Sequence, residues 1–190
     1  MTNSFVNHLD QIQHDDTRNI DEKFRWWNHV DIIGDLDKTR SNVLSVFLNI
    51  TGDFNISSGI RNNLWFNTAG AYIYGKKKYD KRGTVGAHHY VPVTHSADIN
   101  ELVDDLREQG YRIVAAEITD DAVPLTTYSW NDKSVIIFGE ESLGLSEEVL
   151  NLVDDVVYIP GNGSIRSLNV ATTSGIFLYD YSAKTGILDK

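Results

Sequence analysis

Six short strand-like runs alternate with segments of helical periodicity, and this alternation limits the chain's fold more than any other feature of its sequence. Val43–Ile50 (VLSVFLNI) and Ser134–Phe138 (SVIIF) are almost wholly apolar. Such runs mark strands covered on both faces, as in a parallel sheet. Ala69–Tyr74, Tyr90–Val93, Tyr111–Glu117 and Val156–Ile159 read as further strands. Between them, Asn55–Asn67 places Ile56, Ile60 and Leu64 at helical spacing, and Ile99–Gln109 does so with Ile99, Leu102, Val103 and Leu106. Ser146–Leu152 reads as a short capped helix. Ser167 to Ala183 reads as the last helix, with Leu168, Ala171, Gly175, Leu178 and Ser182 along one face. The fold class expected is α/β, a mostly parallel sheet with helices on both faces. Ligands of such sheets lie beyond the carboxyl ends of the strands. The loops after Ile50, Glu117, Phe138 and Ile159 are therefore the places to seek chemistry.

Residues 1–40 stand apart from this alternation. The first twenty are polar, and Trp26, Val30, Ile33 and Leu36 then suggest one helical face within 21–40. The division expected is an N-terminal helical extension, 1–40, and one domain, 41–190. With 190 residues, of which 41% are hydrophobic, the chain can bury a substantial core. It contains no cysteine, which excludes disulfides, thiolate nucleophiles and Cys-ligated metals. No histidine pair has the spacing of a helical metal site, and no metal is expected. No run approaches the ~18–20 apolar residues of a membrane span, and the opening residues lack a signal pattern. A cytoplasmic protein without membrane contact is expected.

The net charge of −10 excludes a globally basic nucleic-acid coat. Charge is nonetheless unevenly placed. Gly75–Val91 carries Lys76, Lys77, Lys78, Lys81 and Arg82 against a single acid, Asp80. Taken alone, such a cluster is either a solvated surface or a binding patch.

Three loops at predicted strand ends hold polar residues at defined spacing. In Asn55-Ile-Ser-Ser-Gly-Ile-Arg61, Asn55 and Arg61 fall in or near the first turns of a helix. Alone, the pair fits equally an N-cap and a surface arginine. Phe138-Gly-Glu-Glu-Ser-Leu-Gly-Leu-Ser146 sets Gly139 and Gly144 around Glu140 and Glu141. Glycine at a strand end permits close approach of backbone to a ligand, but an ordinary turn has the same composition. Ile159-Pro-Gly-Asn-Gly-Ser-Ile-Arg-Ser-Leu-Asn169 is polar, rich in glycine, and runs into the last helix. It could cradle a phosphate or an adenosyl group, or be a plain flexible loop. Neither a G-x-S-x-G elbow nor a Walker A motif is present, so hydrolase and nucleotidase readings lack their motifs.

Taken together, in order and spacing, the three loops resemble the motifs of the SpoU/TrmH family of RNA ribose 2′-O-methyltransferases, of the SPOUT (α/β-knot) class. The resemblance rests on Asn55 with Arg61, on Gly139-x-Glu141-x-x-Gly144-x-Ser146, and on Ile159-Pro160-x-x-Gly163-x-x-x-Ser167-Leu168-Asn169-Val170, and spans about residues 43–185. The chain departs from the family pattern at Gly161-Asn162, where a Met-led pair is common, and at Asn62-Asn63, where a small hydroxyl residue and Ala are usual.

The resemblance implies a deep C-terminal trefoil knot, a homodimer, and S-adenosylmethionine bound in the knot. It implies cofactor contacts from Gly139, Gly144, Ile159, Gly163 and Leu168, with a β-branched side chain at Gly139, as in Gly139→Val, filling space the cofactor's ribose needs. It implies catalytic roles for Arg61, Asn55, Glu141, Ser167 and Asn169. Arginine is too weak an acid to serve as a base. Arg61 would instead grip an RNA phosphate that relays the proton, with Asn55, Ser167 and Asn169 orienting the groups. Lys76, Lys77, Lys78, Lys81 and Arg82 would then hold RNA, aided by stacking on Tyr74, Tyr79 and Tyr90. The expected substrate is structured RNA, tRNA before rRNA. The alternative is a catalytically inactive RNA-binding protein that retains the fold.

Overall fold

The computed structural model describes residues 18–49, 55–140 and 143–189. The chain divides after Thr39 into two units. In the first, a 3-10 turn at Glu22–Phe24 precedes helix α1, His29–Leu36, capped by Asn28. This corrects the helical face read across 21–40. Trp26 lies outside any helix at a left-handed φ of 76°, and Val30 is 77% exposed. The buried residue of α1 is Ile32.

The second unit is built on seven strands: β1 Ser41–Asn49, β2 Thr68–Gly75, β3 Val93–Ser96, β4 Arg112–Ala116, β5 Val123–Pro124, β6 Ser134–Phe138 and β7 Asp155–Tyr158. They form one sheet in the order β3-β2-β1-β6-β4-β7-β5, and every pairing is parallel. The helices are α2 Asn55–Trp65, α3 Ile99–Glu108, α4 Glu147–Leu150 and α5 Val170–Lys184. The parallel sheet flanked by helices is the class read from the sequence. Three details differ. The third strand lies at 93–96 rather than 90–93, because Tyr90 and Val91 are buried beside a 3-10 turn. The two-residue β5 is too short to leave a periodic signal. Finally, α5 begins only at Val170.

Alternation along the strands splits the core into two layers. Val43 and Phe47 of β1 join Ile56, Ile60, Phe177, Leu178 and Tyr181 on one face, where Phe47 stacks on Phe138 at 5.3 Å. Leu44, Val46 and Leu48 join Ile99, Leu102, Val103 and Leu106 on the other. Thus α2 and α5 cover one face and α3 the other. Helix α3 starts at Asp98, whose Oδ1 accepts from the Asn100 and Glu101 amides, and stops at Gly110, where φ is +85°.

The buried stripe of α5 is Val170, Ser174, Phe177, Leu178, Tyr181 and Ser182; of the line read from the sequence it keeps Leu178 and Ser182 but not Leu168, Ala171 or Gly175. Leu168 precedes the helix and is 41% exposed. The small residues Ala171 and Gly175 meet α2 instead. Asn62 Nδ2 donates to Ala171 O at 2.7 Å and Ser174 Oγ at 2.9 Å, and a Cβ on Gly175 would stand 3.3 Å from that nitrogen. One residue on, Asn63 is fully buried. Its Oδ1 accepts from Ser45 Oγ (3.0 Å) and Thr68 Oγ1 (2.7 Å), and its Nδ2 donates to Gly59 O at 2.8 Å. Both polar atoms of its side chain are thereby partnered, as burial demands.

Candidate active site

The carboxyl ends of β4, β6 and β7 open into a cavity of about 870 Å³. Phe138, Leu145, Leu150, Val157, Ile159, Leu168 and Phe177 give it apolar walls. Gly139, Gly144, Ile159, Gly163 and Leu168, drawn from two loops more than a dozen residues apart, all line it, as does Ser167. Three further charged residues on its wall escaped the motif reading as site residues: Glu117, Glu140 and Arg166.

The glycines differ in why they are glycine. At Gly139 a Cβ would lie 2.5 Å from the Gly144 carbonyl carbon and 2.7 Å from its oxygen. The loop's own main chain therefore already excludes a side chain here, turning back on itself through the Gly144 N–H to Glu140 O bond of 2.8 Å. Gly144 has φ +64°, a conformation that side chains resist. A Cβ at Gly163 would meet nothing within 4 Å.

Asn169 is the N-cap of α5. Its Oδ1 accepts from the Ala171 amide at 3.0 Å and the Thr172 amide at 3.3 Å, while its Nδ2 donates to Asn55 Oδ1 at 2.8 Å. The first and third motifs, 114 residues apart, are thereby joined at the starts of two helices. Arg61 follows Asn55 along α2, exposed and with no hydrogen bond or ion pair to any described residue. It does not line the cavity. Glu141 lies outside the described residues.

The basic segment leaves the carboxyl end of β2. Asn49 fixes its start: Nδ2 donates to Lys76 O at 2.5 Å and Lys78 O at 3.2 Å. Ser57 Oγ donates to Asp80 O, which ties the segment to the first turns of α2. Lys76, Lys77, Lys78 and Lys81 are exposed. Arg82 is exposed too, but its guanidinium grips Asp80, Nη2 to Oδ2 at 2.5 Å, and this bond holds the Asp80 carboxyl at about 2. The aromatic part of the sequence expectation fails at Tyr90, which is 5% exposed in the core. Tyr74 and Tyr79 are partly buried, each packed against a different core layer.

The model of the SpoU rRNA Methylase family matches residues 42–179. The chain belongs to this family. The resemblance seen in three loops thus holds across most of the chain. Among curated relatives, a tRNA (guanosine(18)-2′-O)-methyltransferase of Thermus thermophilus is 30% identical over 108 residues. The match covers 55% of this chain and 56% of that protein, so the chain spans little more than half of the relative's length. Among solved structures, the Aquifex aeolicus TrmH/SpoU tRNA modifying enzyme superposes with a TM-score of 0.75 at 22% identity, covering 85% of this chain and 86% of that one. The SpoU methyltransferase AviRb of Streptomyces viridochromogenes, in complex with the cofactor AdoMet, gives a TM-score of 0.70 at 23% identity, over 79% and 64%. At these identities the likeness is one of fold.

Within the SpoU fold of this chain, the three motifs thus occupy two adjoining places. The second motif and most of the third form the cavity. The first motif and Asn169 form a polar junction beside it, with the basic segment held against the same helix. Among the described residues no group of His, Asp or Glu could hold a metal ion, and no helix is long and apolar enough to cross a membrane.

Proposed function

We propose that this protein is an S-adenosylmethionine-dependent RNA methyltransferase acting on a ribose 2′-OH, with tRNA as the favoured substrate and rRNA the other candidate. The observation that carries this reading is the Asn169–Asn55 bond, which sets the helix of Arg61 directly against the loop that lines the cavity. The names of the tRNA methyltransferase relatives support the choice of tRNA.

The cavity suits the cofactor. Its volume lies within the range of small-molecule sites. Ile159 and Leu168 offer apolar surface for an adenine, main chain at Gly139, Gly144 and Gly163 is open to polar edges, and Arg166 could meet a carboxylate. When bound, S-adenosylmethionine supplies a methyl group already activated on a sulfonium. The protein's own work is then to position and to manage one proton. Arg61 holds an RNA phosphate bidentately next to the ribose, and the phosphate accepts the 2′-OH proton. Asn169 and Asn55 fix the start of α2 relative to the cavity, and Ser167 offers a hydroxyl to the ribose.

In the same reading, residues 41–190 form the methyltransferase domain, 1–40 an extension, and the C-terminal segment threads a trefoil knot of the SPOUT class. The enzyme works in the cytoplasm as a homodimer. Trp65 at 83% exposure and Tyr179 at 59%, on α2 and α5, offer apolar surface that a second copy would cover.

The test is transfer of labelled methyl from S-adenosylmethionine to bulk tRNA and rRNA, followed by nucleoside analysis. A 2′-O-methylated nucleoside is expected, and a methylated base would overturn the assignment. The exposed lysines make a second expectation. Replacing Lys76, Lys77 and Lys78 together by Gln should weaken RNA binding and flatten its log–log salt dependence by ~2–3 units, one for each phosphate no longer neutralised. Cofactor affinity should not change. An unaltered slope in a filter-binding titration would return the segment to ordinary solvated surface.

A further inference from the structure

We infer that Glu117 is a positioning residue for the cofactor cavity, joining the ends of the three strands that frame it. The inference rests on the assignment of that cavity to S-adenosylmethionine. Glu117 directly follows β4. Its amide donates to Val157 O of β7 at 3.1 Å, which fixes its main chain to the neighbouring strand. Its Oε2 accepts from the Leu145 amide at 2.9 Å, reaching across to the loop after β6. Its Oε1 accepts from the Ile118 amide at 2.9 Å, which holds the side chain in place. The residue lines the cavity itself.

The sequence of the loop is matched to this carboxylate. A Cβ on Gly144 would lie 2.7 Å from Glu117 Oε2, closer than a carbon and an oxygen can approach. Glycine at 144 is required by its φ of +64°, and a side chain there would also push the Glu117 carboxylate away from the Leu145 amide. An ionised carboxylate accepting from backbone N–H groups forms stronger bonds than a neutral acceptor, and here it does so at the rim rather than in the core. Residues on either side of the Leu145 amide have opposite settings. Leu143 is 67% exposed, whereas Leu145 is 8% exposed in the layer of α3. The clamp therefore sits where the loop changes from solvent-facing to packed, and it sets the shape of the cavity wall.

Glu117→Gln tests this with little change of shape. The amide retains one acceptor oxygen, and its NH2 faces a backbone N–H that it cannot satisfy. With no cofactor present, the Leu145 amide should exchange with deuterium faster than in the wild type while core amides of β1 and β6 are unchanged. In steady state the KM for S-adenosylmethionine should rise by about tenfold, the effect of one charged hydrogen bond, with kcat and the KM for RNA within about twofold. Glu117→Ala should move the same quantities further in the same direction. Unchanged exchange at Leu145 would overturn the clamp. So would a loss of kcat in step with thermal stability, which marks a merely structural role. If the wild type methylates RNA and the KM for the cofactor is unmoved in both variants, the positioning role falls and the cavity assignment stands. If the wild type does not bind S-adenosylmethionine in a calorimeter, the cavity assignment falls and takes the positioning role with it.

Discussion

Arg61→Ala should lower methyl transfer by orders of magnitude and leave the protein as stable as before. Helix α2 is held by Ile56 and Ile60, 1% and 0% exposed, and Arg61 contributes nothing to that burial. Exposed and unbonded to the described residues, its removal should cost no more than the ~0.5 kcal/mol typical of surface substitutions. Cofactor affinity should also hold, because Arg61 does not line the cavity. Turnover falls because the phosphate loses its bidentate grip and the 2′-OH its alignment. Arg61→Lys should recover little, since an ammonium cannot reproduce the planar fork. Thermal melts, calorimetry with S-adenosylhomocysteine and a labelled methyl-transfer assay check the three parts. A variant that methylates RNA at the wild-type rate would remove Arg61 from the mechanism.

Gly139→Ala should abolish cofactor binding almost as completely as Gly139→Val. The first side-chain carbon is the one in conflict, 2.5–2.9 Å from three main-chain atoms of Gly144, so its size beyond Cβ matters little. Overpacking of this kind costs about 1–3 kcal/mol and is relieved only by opening the turn that lines the cavity. Gly163→Ala is the control: its Cβ enters open space, and the melting temperature should be unchanged. Were Gly139 needed only to leave room for a ribose, Ala would bind the cofactor far better than Val. Calorimetric titration of the two variants separates the cases.

The sheet was legible because β1 and β6 are buried on both faces, a condition that forces unbroken apolar runs. Of the cavity glycines, Gly139 and Gly144 have physical reasons to be glycine, the close main chain of Gly144 in one case and a φ of +64° in the other, whereas Gly163 has open space around it. What the sequence concealed has physical reasons too. Trp26 interrupts 21–40 at a positive φ, and periodicity carries no mark of backbone handedness. The basic segment was visible as charge, but the burial of Tyr90 depends on a 3-10 turn that packs it inward. Glu117 is one carboxylate at a strand end, with no spacing to distinguish it; only the return of Leu145 to its side gives it a role. The Asn55–Asn169 bond joins residues 114 positions apart and has no local signal at all.

The buried amide of Asn63 bears on which substitutions this chain can accept. Its carbonyl oxygen accepts from hydroxyls on two different strands, Ser45 and Thr68. An amide placed there among apolar neighbours would strand polar atoms away from water, at a cost of about 1–3 kcal/mol, a sizeable part of a domain's stability. The reverse change, Asn63→Ala, takes from the Ser45 hydroxyl its acceptor and leaves Thr68 Oγ1 only the longer bond to Gly70 O at 3.5 Å. The three residues therefore form one hydrogen-bonded unit, in which replacing a single member alters the bonding of the others. Asn63→Ala should therefore cost less stability when Ser45→Ala is made with it than when it is made alone.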